Sequence, residues 1–119
     1  MICLASTITN VIVSVRSVKK FDDEVRLAVN SSVLGLVGES VLTALYRHLK
    51  YYHAISPEEV PYHLDILVGI LQETFGQVGS RTVGRAIAKR FYFRMGLKFV
   101  EIKEYTLQDY LERAKNMLQ

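Results

Sequence analysis

The sequence predicts a mainly α-helical, compact domain of four to five helices, with short strands near 7–16 and 97–104. Apolar residues recur at steps of three and four through most of the chain. Residues that start helices and glycines that end them bracket these stretches. Half of the 119 residues are hydrophobic and 23% are charged, which excludes intrinsic disorder. The length suits a single domain over 1–119.

The N-terminal segment predicts the first strand. No charged side chain occurs from Met1 to Val15, and β-branched residues dominate the stretch. A signal peptide carries a positive charge before its apolar run, whereas the first basic residue here, Arg16, follows it. The run is also shorter than the roughly 20 residues of a membrane span. A helix and a processed or membrane-associated segment are the alternatives to a strand. The single Cys3 excludes a disulfide framework and fits a cytoplasmic location.

Residues 16–30 admit two interpretations. Val25, Leu27 and Val29 alternate with less apolar residues, which is typical of a strand after a polar turn. Valines at steps of four continue from the same stretch to Val41, which is typical of a helix. The sequence leaves a hairpin and a long helix both open.

A helix is predicted from Asn30 to about 51–54, with Asn30, Ser31 or Ser32 as its N-cap. Apolar residues at steps of three and four form one face of it: Leu34, Val37, Val41, Leu45, Leu49 and Tyr52.

The middle of the chain predicts a short turn and then the most buried helix. Ser56 and Pro57 start the turn at 57–60, because serine caps and proline suits the first helical position. The helix follows over about 61–75, with Phe75 buried, and Gly76 ends it as a left-handed cap.

The last third predicts a helix, a strand and a helix. The first helix covers 79–95 and ends at Gly96; its core residues are Val83, Ile87, Phe91 and Met95. Alternation over 97–104 predicts the strand. Thr106 starts the final helix, which runs to about Leu118; its inward residues are Leu107, Tyr110, Leu111, Ala114 and Leu118.

Charge is segregated along the chain. Residues 57–75 hold four acids and no Lys or Arg, whereas 76–100 hold six basic residues and no acid. The candidate binding residues are Arg81, Arg85 and Lys89, within a helical arc of about 80°, with Tyr92 among them. Such a ridge attracts phosphates or an acidic protein partner. A solvated helix face, balanced by the acidic helix before it, is the plainer interpretation.

No motif indicates catalysis, a cofactor or a metal. His48 and His53 are five residues apart, so an ideal helix does not place them on one face as an i, i+4 metal pair. His63 is close to Asp65, but no further carboxylate completes a site. The glycines near the basic helix lack the lysine of a Walker motif. We therefore predict no enzyme activity, no cofactor and no metal.

Several short stretches together resemble a known family. They are Val33-Leu-Gly-Leu-Val-Gly-Glu-Ser-Val41, Leu45-Tyr-Arg-His-Leu49, Ala54-Ile-Ser-Pro57, Leu71-Gln-Glu-Thr-Phe75-Gly76, Gly79, Ala86-Ile87, Phe91, Met95-Gly-Leu97 and Tyr105-Thr-Leu-Gln-Asp-Tyr110. On these residues, 30–118 resembles the archaeal Nitrosopumilus output domain, formerly catalogued as a domain of unknown function; 1–29 lie outside the resemblance. The family is thought to act as a stand-alone small protein or as the output module of signalling proteins. The resemblance implies binding without catalysis and supplies no catalytic residues.

The sequence therefore predicts a non-enzymatic protein-interaction or signal-output module with a protein partner. The alternative is a nucleic-acid-binding protein that uses the basic helix 79–95. An uncharged strand with an open edge also predicts a homodimer. No association with a membrane is expected.

Overall fold

The computed structural model describes the backbone of residues 2–118 and the side chains of residues 20–118. The chain is mainly helical: α1 is Ile2–Val37, α2 is Glu39–His53, a 3-10 helix is Pro57–Tyr62, α3 is Leu64–Arg94 and α4 is Leu107–Leu118. The backbone of 7–16 lies within α1, and 97–104 is an irregular loop, so both predicted strands are wrong. Within the part whose side chains are described, no helix is long and apolar enough to cross a membrane.

Of the two interpretations of residues 16–30, the long helix is confirmed, because the whole stretch lies within α1. Among the side chains described for α1, from residue 20 onward, the buried ones lie on one face: Phe21, Val25, Ala28, Val29, Ser32 and Val33. The predicted N-cap near Asn30 is wrong, because α1 continues through it to Val37. Gly38 then separates α1 from α2 with a φ of 93°, which glycine adopts at little steric cost.

This break changes which apolar residues are buried. Leu45 and Leu49 of α2 pack in the core as predicted. Leu34, which a continuous helix would place on the same face, is 48% exposed on the other side of the break. Tyr52 is 76% exposed for a different reason, because it lies in the last turn of α2 itself. The pattern of steps of three and four therefore spans two helices that point in different directions.

Three predicted helix boundaries are confirmed. Gly76, with a φ of 75°, divides α3 into a first half at 64–75 and a second half at 77–94. Gly96 follows α3 with a φ of 71°, which allows the chain to turn back. Before α4, the amide of Thr106 donates to Asp109 Oδ2 at 3.0 Å, and the amide of Asp109 donates to Thr106 Oγ1 at 3.2 Å. This reciprocal pair fixes the start of α4.

The predicted core residues of α3 and α4 are mostly buried, with three exceptions: Phe75, Leu118 and Met95, which is half-buried at the end of α3. Val83, Ile87 and Phe91 are buried, as predicted. Phe75 is only half-buried and packs at the edge of the core, next to the break in α3. Leu118 is 46% exposed at the end of α4, where the helix passes beyond the core.

Three contacts fix how α1 lies against the second half of α3. The rings of Phe21 and Phe91 are 4.8 Å apart. Glu24 forms an ion pair with Arg94. The Ser32 hydroxyl donates to the carbonyl of Ala86 at 3.3 Å. From the Glu24–Arg94 contact to the Ser32–Ala86 contact, the residue numbers rise along α1 and fall along α3, so the two helices run antiparallel.

The 97–106 loop is held against α4 by one tyrosine. The Tyr110 hydroxyl accepts a hydrogen bond from the amide of Ile102 at 3.0 Å and donates one to the carbonyl of Ile102 at 3.1 Å. The ring of Phe99 lies 5.1 Å from that of Tyr110. The loop is therefore packed although it has no regular hydrogen-bond ladder.

Candidate functional site

The predicted basic ridge is divided in the structure. Arg81, Arg85 and Lys89 are all exposed. Arg85 Nη1 lies 3.1 Å from Glu101 Oε1, and Arg81 and Arg85 both line a pocket formed with the 97–106 loop. Lys89 instead lines a groove against α1. Arg81 and Arg85 therefore border the 97–106 loop and Lys89 borders α1, while all three stay exposed on one stretch of α3.

The placement of Tyr92 on that ridge is wrong. Its side chain is buried, and its hydroxyl donates to the carbonyl of Tyr110 at 2.7 Å. The ring of Phe99 from the 97–106 loop packs edge-on against it at 5.4 Å. Burial raises the pKa of the Tyr92 hydroxyl. The helical wheel placed Tyr92 near the cations, but the loop returns over this side of α3 and covers the ring.

An open groove with a volume of about 480 Å³ lies between α1 and the second half of α3. Two stretches of helix line it: Ser31, Ser32, Gly35 and Leu36 on one side, and Ala86, Lys89, Arg90 and Phe93 on the other. The α3 residues follow the spacing i, i+3, i+4 and i+7, so they share one helix face. Leu36 is 52% exposed and Phe93 is 83% exposed, so each side of the groove presents a large apolar side chain to solvent. We call this surface the α1/α3 groove.

Gly35 has no packing role that explains a glycine in the α1/α3 groove. A Cβ atom at this position would meet no atom within 4 Å. Glycine inside a helix costs about 0.5–1 kcal/mol relative to alanine. No contact within the described chain compensates for this loss of stability. The structural effect of the glycine is to leave the groove open.

The charge lining the α1/α3 groove is positive. Ion pairs among the described side chains join Arg85 to Glu101 and Arg94 to Glu24, and neither pair includes Lys89 or Arg90. Arg90, which the predicted ridge did not include, lines the groove beside Lys89. The i, i+3, i+4, i+7 spacing of the α3 residues could have shown from the sequence that Lys89 and Arg90 share a helix face.

The histidines are arranged differently from the prediction. The rings of His48 and His53 are 5.6 Å apart, so they do meet on one side of α2. His63 is half-buried and follows the 3-10 helix. Within residues 20–118, no group of three or more His, Cys, Asp or Glu is placed to hold a metal ion.

A second cleft, of about 200 Å³, lies between α2 and the first half of α3 and is lined mainly by apolar residues. It is smaller than the roughly 300–1,000 Å³ of most small-molecule sites. The α1/α3 groove is the larger of the two and combines exposed apolar side chains with charge, so it is the candidate functional site.

Comparisons with known proteins leave the resemblance to the output-domain family as an expectation. No family model, no curated protein and no solved structure matches the chain.

Proposed function

We propose that the protein is a non-enzymatic protein-interaction module that binds a helix of a partner protein in the α1/α3 groove. The observation that supports this most directly is the exposure of Leu36 and Phe93 on the two sides of an open groove. Amphipathic helices bind proteins by inserting an apolar face into grooves of this kind. The small residues Gly35 and Ala86, which also line the groove, leave space for the partner's apolar side chains.

A signal-output role in the cytoplasm is the finer part of this proposal. It rests on the resemblance of residues 30–118 to the output-domain family, which implies binding without catalysis. In that role the partner helix belongs to the next component of a signalling system. The expected homodimer rested on a strand edge at 7–16; because this segment is helical, that argument does not apply, and the proposal concerns a different protein.

Nucleic acid is the less favoured alternative for the 79–95 helix. Tyr92 is buried and is not available to stack on a base. Arg85 is already paired with Glu101, and Arg81 and Lys89 line different cavities. The predicted ridge therefore offers a duplex fewer unpaired cations than the sequence suggested, and no Tyr92 ring to stack on.

The test is a displayed library of amphipathic helices selected on the wild-type protein, with apolar residues at i, i+3, i+4 and i+7. Gly35→Leu fills the groove with a side chain of the chain itself. Gly69→Leu is the matched control, because Gly69 is also a helical glycine whose Cβ would meet nothing within 4 Å, and it lies outside the groove. Thermal unfolding checks that both variants fold.

The expected result is selection of helices that lose affinity at least about tenfold on Gly35→Leu, a change of about 1.4 kcal/mol. Phe93→Ala, which removes an exposed side chain, should lower the same affinity. The affinity for Gly69→Leu should equal that for the wild type. A library that gives no binder, or only binders that are insensitive to Gly35→Leu, contradicts the proposed function.

A further inference from the structure

We infer that the α1/α3 groove accepts an acidic amphipathic helix, whose carboxylates lie beside its apolar residues. This inference rests on the proposed function and adds the chemistry of the partner. It follows from the distribution of charge over the two helices that line the groove.

The α3 side of the groove carries two adjacent cations. Lys89 and Arg90 are exposed and lie within one turn of Phe93 on the same helix face. A helix that places an apolar residue against Phe93 therefore brings its next turn opposite these two side chains. Carboxylates on that turn would form charge-assisted hydrogen bonds with them.

The chain supplies little to neutralise these cations. The α1 side of the groove, 31–37, contains no charged residue, and 76–100 contain no acid. Every Asp and Glu of the sequence lies at position 22 or later, so the N-terminal part of α1 has none either. Glu24, which contacts the end of α3, is already paired with Arg94. Carboxylates of a bound molecule can therefore pair with these cations without competition from an acid of the groove itself.

A second copy of the chain fits this surface less well. Two copies that meet groove to groove with their α3 sides facing each other would bring the Lys89 and Arg90 side chains of both copies together. Like charges that face each other in an interface are unfavourable. The positive side of the groove therefore favours a different protein with negative charge.

The test varies the positions that flank the apolar residues of the displayed helices among Glu, Gln and Lys. Selection on the wild-type protein should enrich Glu. The double variant Lys89→Gln/Arg90→Gln should lower the affinity for a Glu-flanked peptide about tenfold and leave that for the matched Gln-flanked peptide unchanged. Arg81→Gln/Lys98→Gln is the charge-matched control, since both cations are exposed outside the groove, and it should have no effect.

The outcomes separate the two proposals. Helices that are sensitive to Gly35→Leu but are enriched in Gln or Lys overturn the acidic partner and leave the interaction module intact. Absence of any binder sensitive to Gly35→Leu contradicts both. A competition experiment tests for an anionic surface in place of a helix. If duplex DNA or phosphatidylserine vesicles displace a selected peptide from the wild type, and if Phe93→Ala no longer binds the DNA or the vesicles, the groove serves an anionic surface and the inference is overturned.

Discussion

Replacing Tyr110 with phenylalanine tests how the 97–106 loop is held. The substitution removes one oxygen atom and leaves the ring packed against Tyr92 and Phe99. Its two hydrogen bonds, both to the backbone of Ile102, are lost together. Each is worth about 0.5–1.5 kcal/mol net, so Tyr110→Phe should lower the free energy of unfolding by about 2 kcal/mol. For a chain of this size, that is a drop of about 6–12 °C in Tm.

Urea denaturation and amide hydrogen exchange measure this effect. The amide of Ile102 should lose its protection in Tyr110→Phe, because its acceptor is the hydroxyl that has been removed. Tyr105→Phe is the control, since the Tyr105 ring packs 5.2 Å from Tyr110 but its hydroxyl is not part of this pair of bonds. Unchanged protection of Ile102, or a loss below about 0.5 kcal/mol, would refute the reasoning.

Further predictions concern stability and metal content. Tyr46→Phe should raise the free energy of unfolding in urea by about 1 kcal/mol, because the Tyr46 hydroxyl is buried without a hydrogen-bond partner. Burial raises the pKa of Tyr46 to about 12. The folded chain therefore favours the neutral phenol: this contribution to stability is complete below about pH 10, the unfolded value, and is lost as the pH rises towards 12. As the pH rises from 10 to 12, the free energy of unfolding should fall less in Tyr46→Phe than in the wild type, as measured by denaturation. An equal fall in both proteins contradicts a raised pKa for Tyr46. Phe91→Ala should cost about 3–5 kcal/mol in denaturant melts, and Phe75→Ala clearly less, because Phe91 is buried and Phe75 is half-buried. Gly35→Ala should stabilise the protein by about 0.5–1 kcal/mol in the same melts, since its Cβ meets no neighbour; destabilisation would mean that the glycine is needed for packing. Elemental analysis of the purified protein should find no stoichiometric zinc or iron; one metal per chain that is lost in His48→Ala or His63→Ala would contradict this.

The helix boundaries were predictable because their causes are local. Gly76 and Gly96 sit where apolar periodicity stops, and a left-handed residue is needed there to turn the chain. Thr106 and Asp109 satisfy each other's backbone amides within four residues, so their spacing alone indicates the start of a helix.

The errors came from features that depend on distant parts of the chain. The alternation at 97–104 does not match burial, since Phe99 and Ile102 pack against the core although they are three positions apart, and Val100 is 44% exposed. A strand also needs a neighbour, and its expected partner at 7–16 is helical. Gly38 was missed because the steps of four in the valines continue across it.

The candidate site was only partly predictable for the same reason. Charge segregation identified Lys89, which does line the α1/α3 groove. The contributions of Arg90 and Leu36 depend on how α1 and α3 pair, which the sequence pattern does not specify. Tyr92 was misplaced because a loop that follows it in sequence folds back over it.

The pairing of α1 with the second half of α3 also has a consequence for biosynthesis. Glu24 and Arg94 are 70 positions apart, and Phe21 and Phe91 are equally distant in sequence. At about 5–20 residues per second, translation separates the two members of each pair by about 4–14 s. During that time the apolar face of α1 lacks the helix that covers it in the finished fold. Nascent or truncated chains that stop before α3 are therefore the forms of this protein most exposed to aggregation and most dependent on chaperones.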